Sequence, residues 1–170
     1  MRTLWLAVAA VAALATPAAA EVKTTNPPAV GEVYFKFDSA RVDGATQAID
    51  KIVTFAEANP NLTIVLDGYA DPQGPAPYNV ALAARRAEGL RSRLVARGVE
   101  ADRIVIVTYG EDGPRHAAYR LDRRVTAWGT DAPLYAIIER SLKRGTAVLW
   151  NKPVEETALY APKPEHVARK

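Results

Sequence analysis

Between Val33 and Gly129 the apolar residues switch back and forth between a period of two and a period near 3.6, an alternation that constrains the fold more than any single motif does. In "VYFKF" the alternation puts Val33, Phe35 and Phe37 on one face. After the turn "DSARVDG", Ala45, Ala48, Ile49, Ile52 and Ala56 form a helical stripe, with Asp43 in position to cap it. Asn59 and Pro60 stop that helix, because proline disfavours the helical conformation in the residue before it. "LTIVL" alternates again, with Leu62, Ile64 and Leu66 to one side. A second helix follows, with Pro77 suited to its first turn and Gly98 to its C-terminal cap. "RIVIVTYG" is apolar almost throughout, which suits a strand inside a sheet. "RRVTAWG" is the fourth strand, reached through a loop with one helical turn. The order predicts an α/β fold (an α+β sandwich): one mixed four-stranded sheet with two helices packed on one face, β-α-β-α-β-(loop)-β.

The flanks carry different information. Residues 1–20 open with Arg2, continue as an apolar run from Leu4 to Ala15, and end in Pro17, Ala18 and Ala20, the pattern of a secretory signal cleaved after Ala20. The run is short for a membrane span. Residues 21–31, "EVKTTNPPAVG", read as a polar linker, residues 32–130 as the domain, and residues 131–170 as a C-terminal extension of unassigned role. The chain has no cysteine, so neither a disulfide nor a lipid on a cleavage-site cysteine is expected, and the core must supply the stability. Removing residues 1–20 takes away Arg2 and no acid, which lowers the formal charge from +3 to +2. That balance falls well short of a nucleic-acid footprint. The expectation is an exported periplasmic protein without a lipid anchor or transmembrane segment, peripheral to the outer membrane or the cell wall.

One junction stands out. In "GYADPQGPAPYNVALAARRA", Asp71 follows a strand, and Arg85 and Arg86 lie two turns into the next helix. On a helical wheel Leu82, Ala83, Ala87, Leu90 and Leu94 cover an arc of about 140°, and Arg86 falls about 40° inside it. Arg85 points away. A guanidinium aimed at apolar surroundings requires a partner, and Asp71 leaves a strand end nearby, where ligand sites gather in such folds. Two readings stand open: a closed Asp71–Arg86 salt bridge, or two charges held apart for a zwitterion, with ammonium on Asp71 and carboxylate on Arg86.

The run from Val33 to about Gly129 resembles the OmpA-like domain family, the peptidoglycan-binding module of cell-envelope proteins. The resemblance is carried by "VYFKFDSARV", by "GYADPQGPAPYNVALAARRAEGLRSRLVARGV" and by "YGEDGP…LDRRV". It implies non-covalent, non-catalytic binding of the diaminopimelate in cell-wall stem peptides. By position, Asp71 matches the family's ammonium-binding aspartate, Arg86 its carboxylate-binding arginine and Leu82 its apolar pocket residue. Phe37, Asp38 and Ser39 match a loop whose backbone amides help receive a carboxylate. Asn79 matches a loop-ordering residue, and Arg124 a supporting charge at the rim. The chain departs from the family's usual G-H-T-D at Tyr69 and Ala70, and it carries Asp122 where asparagine is usual.

Rival classes are weighed on residue types. His116 and His166 are too few for a zinc cluster, and no thiol, G-x-S-x-G or phosphate loop is present, so neither a cofactor nor a metal is expected. Asp38, Asp67 and Asp71 near strand ends are the only basis for a paired-carboxylate enzyme. The stronger rival is an interaction module that kept the fold and meets an envelope protein through residues 131–170. In that extension Leu134, Ile137, Ile138 and Leu142 form a helical stripe, and "TAVLW" reads as a strand.

Overall fold

The computed structural model describes residues 28–113, 116–142 and 148–150. The expected signal, residues 21–27 of the linker, Thr146 and Ala147 of "TAVLW", and the tail bearing His166 lie outside the described residues. Strand β1 spans Gly31–Tyr34, β2 Thr63–Tyr69, β3 Ile104–Gly110 and β4 Arg124–Thr130. Helix α1 spans Thr46–Ala58 and α2 Ala76–Val95. The extension adds α3 at Leu134–Leu142 and β5 at Val148–Trp150. The sheet is mixed, in the order β1-β4-β2-β3-β5. Among the described strands only β2 and β3 are parallel, joined through α2, and β4 lies antiparallel between β1 and β2. The four predicted strands are present, and β5 extends the sheet by pairing antiparallel with β3.

The pleat divides the core in two. Val33, Phe35, Ile64, Leu66, Ile104, Ile106, Val125 and Ala127 face α1 and α2, which contribute Ile49, Ile52, Ala56, Ala87, Leu90 and Leu94. The opposite face carries Val65, Tyr69, Val105, Val107, Tyr109 and Trp128, with Ile137 of α3 packed among them. The expectation of helices on a single face therefore holds for α1 and α2, and α3 adds partial cover on the second. That second layer explains why every residue of β3 is buried.

Close contact between α2 and β2 depends on Gly68, where a Cβ would meet the Ala83 carbonyl oxygen at 2.6 Å. The helix ends as the sequence suggests. Gly98 adopts φ +96°, and the Gly98 and Val99 amides return to the Val95 and Leu94 carbonyls. Two local expectations fail. Asp43 does not cap α1, whose N-cap is Ala45 without a side-chain bond. Asp43 instead lies 3.8 Å from Arg41 in an exposed pair. Phe37 leaves the alternation because β1 ends at Tyr34, and the residue is 52% exposed.

Arg103 fixes one end of the molecule. Its Nη2 donates to the carbonyls of Ala56, Asn59 and Leu62, so a cation caps the C-terminus of α1 and ties it to the start of β2. The other end holds the candidate site. Strands β1 and β2 finish there, β4 starts there, and α2 begins beside it.

Candidate ligand-binding site

Arg86 has no exposed surface. Its guanidinium donates from Nε to the Ser39 carbonyl at 2.9 Å, from Nη1 to the Tyr69 carbonyl at 3.1 Å and from Nη2 to the Lys36 carbonyl at 3.3 Å. The group also lies over the Phe35 ring, 5.3 Å from its centroid. No carboxylate pairs with it within 4 Å among the described residues. Burial pulls its pKa down to about 10; the Asp71 charge opposes the shift and Arg123 reinforces it. Arg86 therefore stays protonated at neutral pH, a buried cation solvated by carbonyl dipoles.

Asp71 sits just past the end of β2 and is 4% exposed. Its Oδ1 accepts from the Gln73 amide at 3.1 Å, an Asx turn that shapes the loop into α2. Its Oδ2 accepts from Arg123 Nη1 at 3.0 Å. Arg123 also donates from Nε to the Phe35 carbonyl at 3.1 Å. Asp71 and Arg86 thus feel each other's charge without bonding, and the closed Asp71–Arg86 bridge is not formed. The partner of Asp71 is Arg123, which the sequence reading passed over in favour of Arg124.

The parity of β4 carries the missed signal. Arg123 shares a face with Val125 and Ala127, which face α1 and α2, whereas Arg124 shares the other face with Trp128. Arg124 is accordingly not at the rim of the site. It is buried on the far face, 4.5 Å over the Tyr69 ring, and bonds the Leu121 carbonyl at 2.8 Å. Glu32 and Asp122 each lie 3.8 Å from it. Asp122 also receives the His116 amide at 2.9 Å and faces its ring nitrogen Nδ1 at 2.7 Å.

The loop after β1 forms a strap across Arg86. Within it Asp38 adopts φ +52°, an uncommon conformation for a non-glycine residue that costs on the order of 1 kcal/mol or more. The Asp38 carboxylate accepts from the Tyr78 hydroxyl of α2. The strap presents carbonyls to Arg86, and the Ser39 amide is turned back to the Lys36 carbonyl at 3.3 Å. The expected reception of a carboxylate by the Ser39 amide does not describe this arrangement. Leu82 lies buried one turn before Arg86 on α2. Asn79, also buried, donates to the Gly74 carbonyl at 3.2 Å and to Glu111 at 2.6 Å, which ties the β2–α2 loop to the end of β3. Asp38, Asp67 and Asp71 are each engaged by another group: Tyr78, Tyr69 and Arg123 respectively.

The OmpA family model matches residues 34–126. The peptidoglycan-associated lipoprotein of Pasteurella multocida is 38% identical over 98 residues, covering 54% of this chain and 65% of that protein. That of Rhizobium meliloti is 37% identical over 105 residues, covering 61% and 58%. The chain therefore spans about three-fifths of the length of these relatives. Among solved structures, the peptidoglycan-associated lipoprotein of Burkholderia pseudomallei superposes with a TM-score of 0.54 at 28% identity, over 59% of this chain and 90% of that one. The C-terminal domain of Helicobacter pylori MotB, at 18% identity, shares the fold with a TM-score of 0.53, over 65% of this chain and 92% of that one. With more than half of its length matched by the family model, and with the strand order and the Asp71–Arg86 junction in place, the chain belongs to the OmpA family.

Proposed function

We propose that this chain binds peptidoglycan non-covalently and without catalysis, taking the diaminopimelate of a stem peptide at the sheet end between Asp71 and Arg86. One observation carries the reading: a fully buried guanidinium, with no carboxylate among the described residues bonded to it, stands beside a carboxylate held by a different arginine. Burying a charge without a bonded counter-ion is expensive, and a fold solely under selection for stability has no need of one. A ligand carboxylate satisfies Arg86 and a ligand ammonium satisfies Asp71. Leu82 gives the apolar wall, the strap at Phe37, Asp38 and Ser39 forms the lip, and Asn79 with Glu111 orders the floor. Two relatives named peptidoglycan-associated lipoprotein support the ligand class. In this reading residues 1–20 direct export to the periplasm, 21–31 are a tether, 32–130 grip the wall, and 131–170 are open to an envelope partner.

A second reading, an interaction module that no longer takes the wall, is favoured by the complete burial of Arg86 and the existing Asp71–Arg123 pair. Co-sedimentation with purified sacculi separates the two. Wild type in the pellet, with folded Asp71→Ala and Arg86→Ala variants left in solution, is the result expected for wall binding. Wild type left in the supernatant transfers the function to the interaction module.

A further inference from the structure

The proposed clamp is filled from both sides by the protein's own groups. On the anionic half, Arg123 Nη1 stands on the Asp71 oxygen that a ligand ammonium would take. On the cationic half, the Ser39 and Lys36 carbonyls stand on Nε and Nη2 of Arg86. Those two donors form the side edge of the guanidinium, a fork that matches the two oxygens of one carboxylate. Both occupants of that edge belong to one short strap, and the third carbonyl, from Tyr69, lies on Nη1 and is part of the sheet end. A single movement of the strap therefore uncovers the whole carboxylate-binding edge and leaves Arg86 anchored through Nη1.

The contacts described for the strap are mainly polar. It has little apolar anchorage, since Phe37 is half exposed and Lys36 is exposed. It contains the left-handed Asp38. The bond it makes through Lys36 to Arg86, at 3.3 Å, is the longest of the three. Besides the bonds to Arg86, the Tyr78 hydroxyl on the Asp38 carboxylate ties it to α2. Tyr78 lies on the same helix as Arg86, two turns earlier, and is buried, so it is a fixed post against which the strap closes.

We propose that the Lys36–Ser39 strap and Arg123 are internal competitors for the two halves of the clamp, with Tyr78–Asp38 as the latch, so that ligand binding is an exchange. This inference rests on the wall-binding reading and adds its selectivity. A carboxylate alone releases the strap but leaves Arg123 on Asp71; an amine alone displaces Arg123 but leaves the strap closed. Only a group carrying both charges at the right separation exchanges both, and that makes the site selective for a zwitterion over either charge taken singly. Apparent affinity is reduced by the fraction of molecules in which the strap is open, so weakening either competitor raises it.

The test is titration of the full mature chain with meso-diaminopimelate, followed by calorimetry and by stopped-flow fluorescence. Tyr78→Phe removes the latch hydroxyl and keeps the ring; Arg123→Gln vacates Asp71. Both are expected to bind about 3- to 10-fold tighter than wild type. The observed association rate of wild type should level off at high ligand concentration, with a higher plateau in Tyr78→Phe, an effect that a purely structural role for the hydroxyl would not produce. Equal or weaker binding in folded Tyr78→Phe overturns the latch, and the same result in folded Arg123→Gln overturns the competition at Asp71. Where neither wild type nor either variant binds, the wall-binding reading itself fails and this inference fails with it. Where wild type binds and neither variant gains, only the exchange is refuted.

Discussion

Replacing Arg86 with methionine separates a structural arginine from one held for a ligand. Its three bonds to carbonyls, each from a charged donor, are worth about 1.5–3 kcal/mol apiece, or roughly 4.5–9 kcal/mol in gross terms. Against this stands the desolvation of a guanidinium with no exposed surface, which is several kcal/mol and is recovered when the charge is deleted. Lys36 is exposed and Ser39 half-buried, so water can reach the two strap carbonyls that methionine abandons. The Tyr69 carbonyl, at a buried position, is the one acceptor left without an easy substitute, at about 1–3 kcal/mol. Methionine fills most of the volume beside Leu82 and Phe35. The other terms nearly cancel, and the expected destabilisation is at most about 3 kcal/mol, or roughly 12 °C in Tm for a domain of this size. Sacculus binding should be lost altogether. Thermal melts followed by circular dichroism, run beside the co-sedimentation assay, read both quantities. A loss of stability above about 4 kcal/mol would mark Arg86 as a structural post and refute the reasoning. A folded variant that still pellets with sacculi would refute the carboxylate role.

Two further outcomes test the frame around the site. Ile137→Ala should lower stability by about 2–4 kcal/mol in urea denaturation, because Ile137 is 2% exposed among Val65, Val105, Val107 and Trp128. Sacculus binding by the folded fraction should be unchanged, since that face lies across the sheet from α2; weakened binding would show that α3 is coupled to the clamp. Arg103→Ala should cost about 1–3 kcal/mol by leaving the Ala56, Asn59 and Leu62 carbonyls without their donor, with no change in diaminopimelate affinity measured by calorimetry.

Much of the architecture was legible because it depends on period. The alternations at Ile64 and Leu66, the stripe through Ile49, Ile52 and Ala56, and the breaks at Pro60 and Gly98 all reflect local chemistry that the tertiary structure preserves. Arg86 was legible for the same reason: its place inside the apolar arc of α2 required burial. Its partners were not legible. They are backbone carbonyls, and a carbonyl is offered by every residue, so no residue type announces it. Their placement depends on the left-handed Asp38, for which aspartate is permitted but not diagnostic. The helix cap expected at Asp43 failed for a related reason, since the chain between β1 and α1 closes on Ala45 and sends Asp43 toward Arg41.

The departures from the family pattern at Tyr69 and Asp122 look, in sequence, like damage to the clamp, because both adjoin clamp residues. The pleat separates them from it. The Tyr69 side chain lies on the far face, stacked on Tyr109 with ring centroids 5.1 Å apart and covered by Arg124. Its carbonyl reaches the clamp, at Arg86 Nη1, and a carbonyl is indifferent to the residue that bears it. Asp122 is likewise turned to the far face, where it holds His116 and lies near Arg124. The two departures therefore belong together: Arg124 stacks on one and faces the charge of the other, while its neighbour Arg123 turns to Asp71 on the opposite face. The double arginine is thus divided by the strand between two tasks. One cation competes within the proposed clamp, and the other joins the aromatic pair to the loop that closes beside it. Changes on the far face can proceed without altering the charges offered to a ligand, provided the backbone of β2 stays where Arg86 requires it.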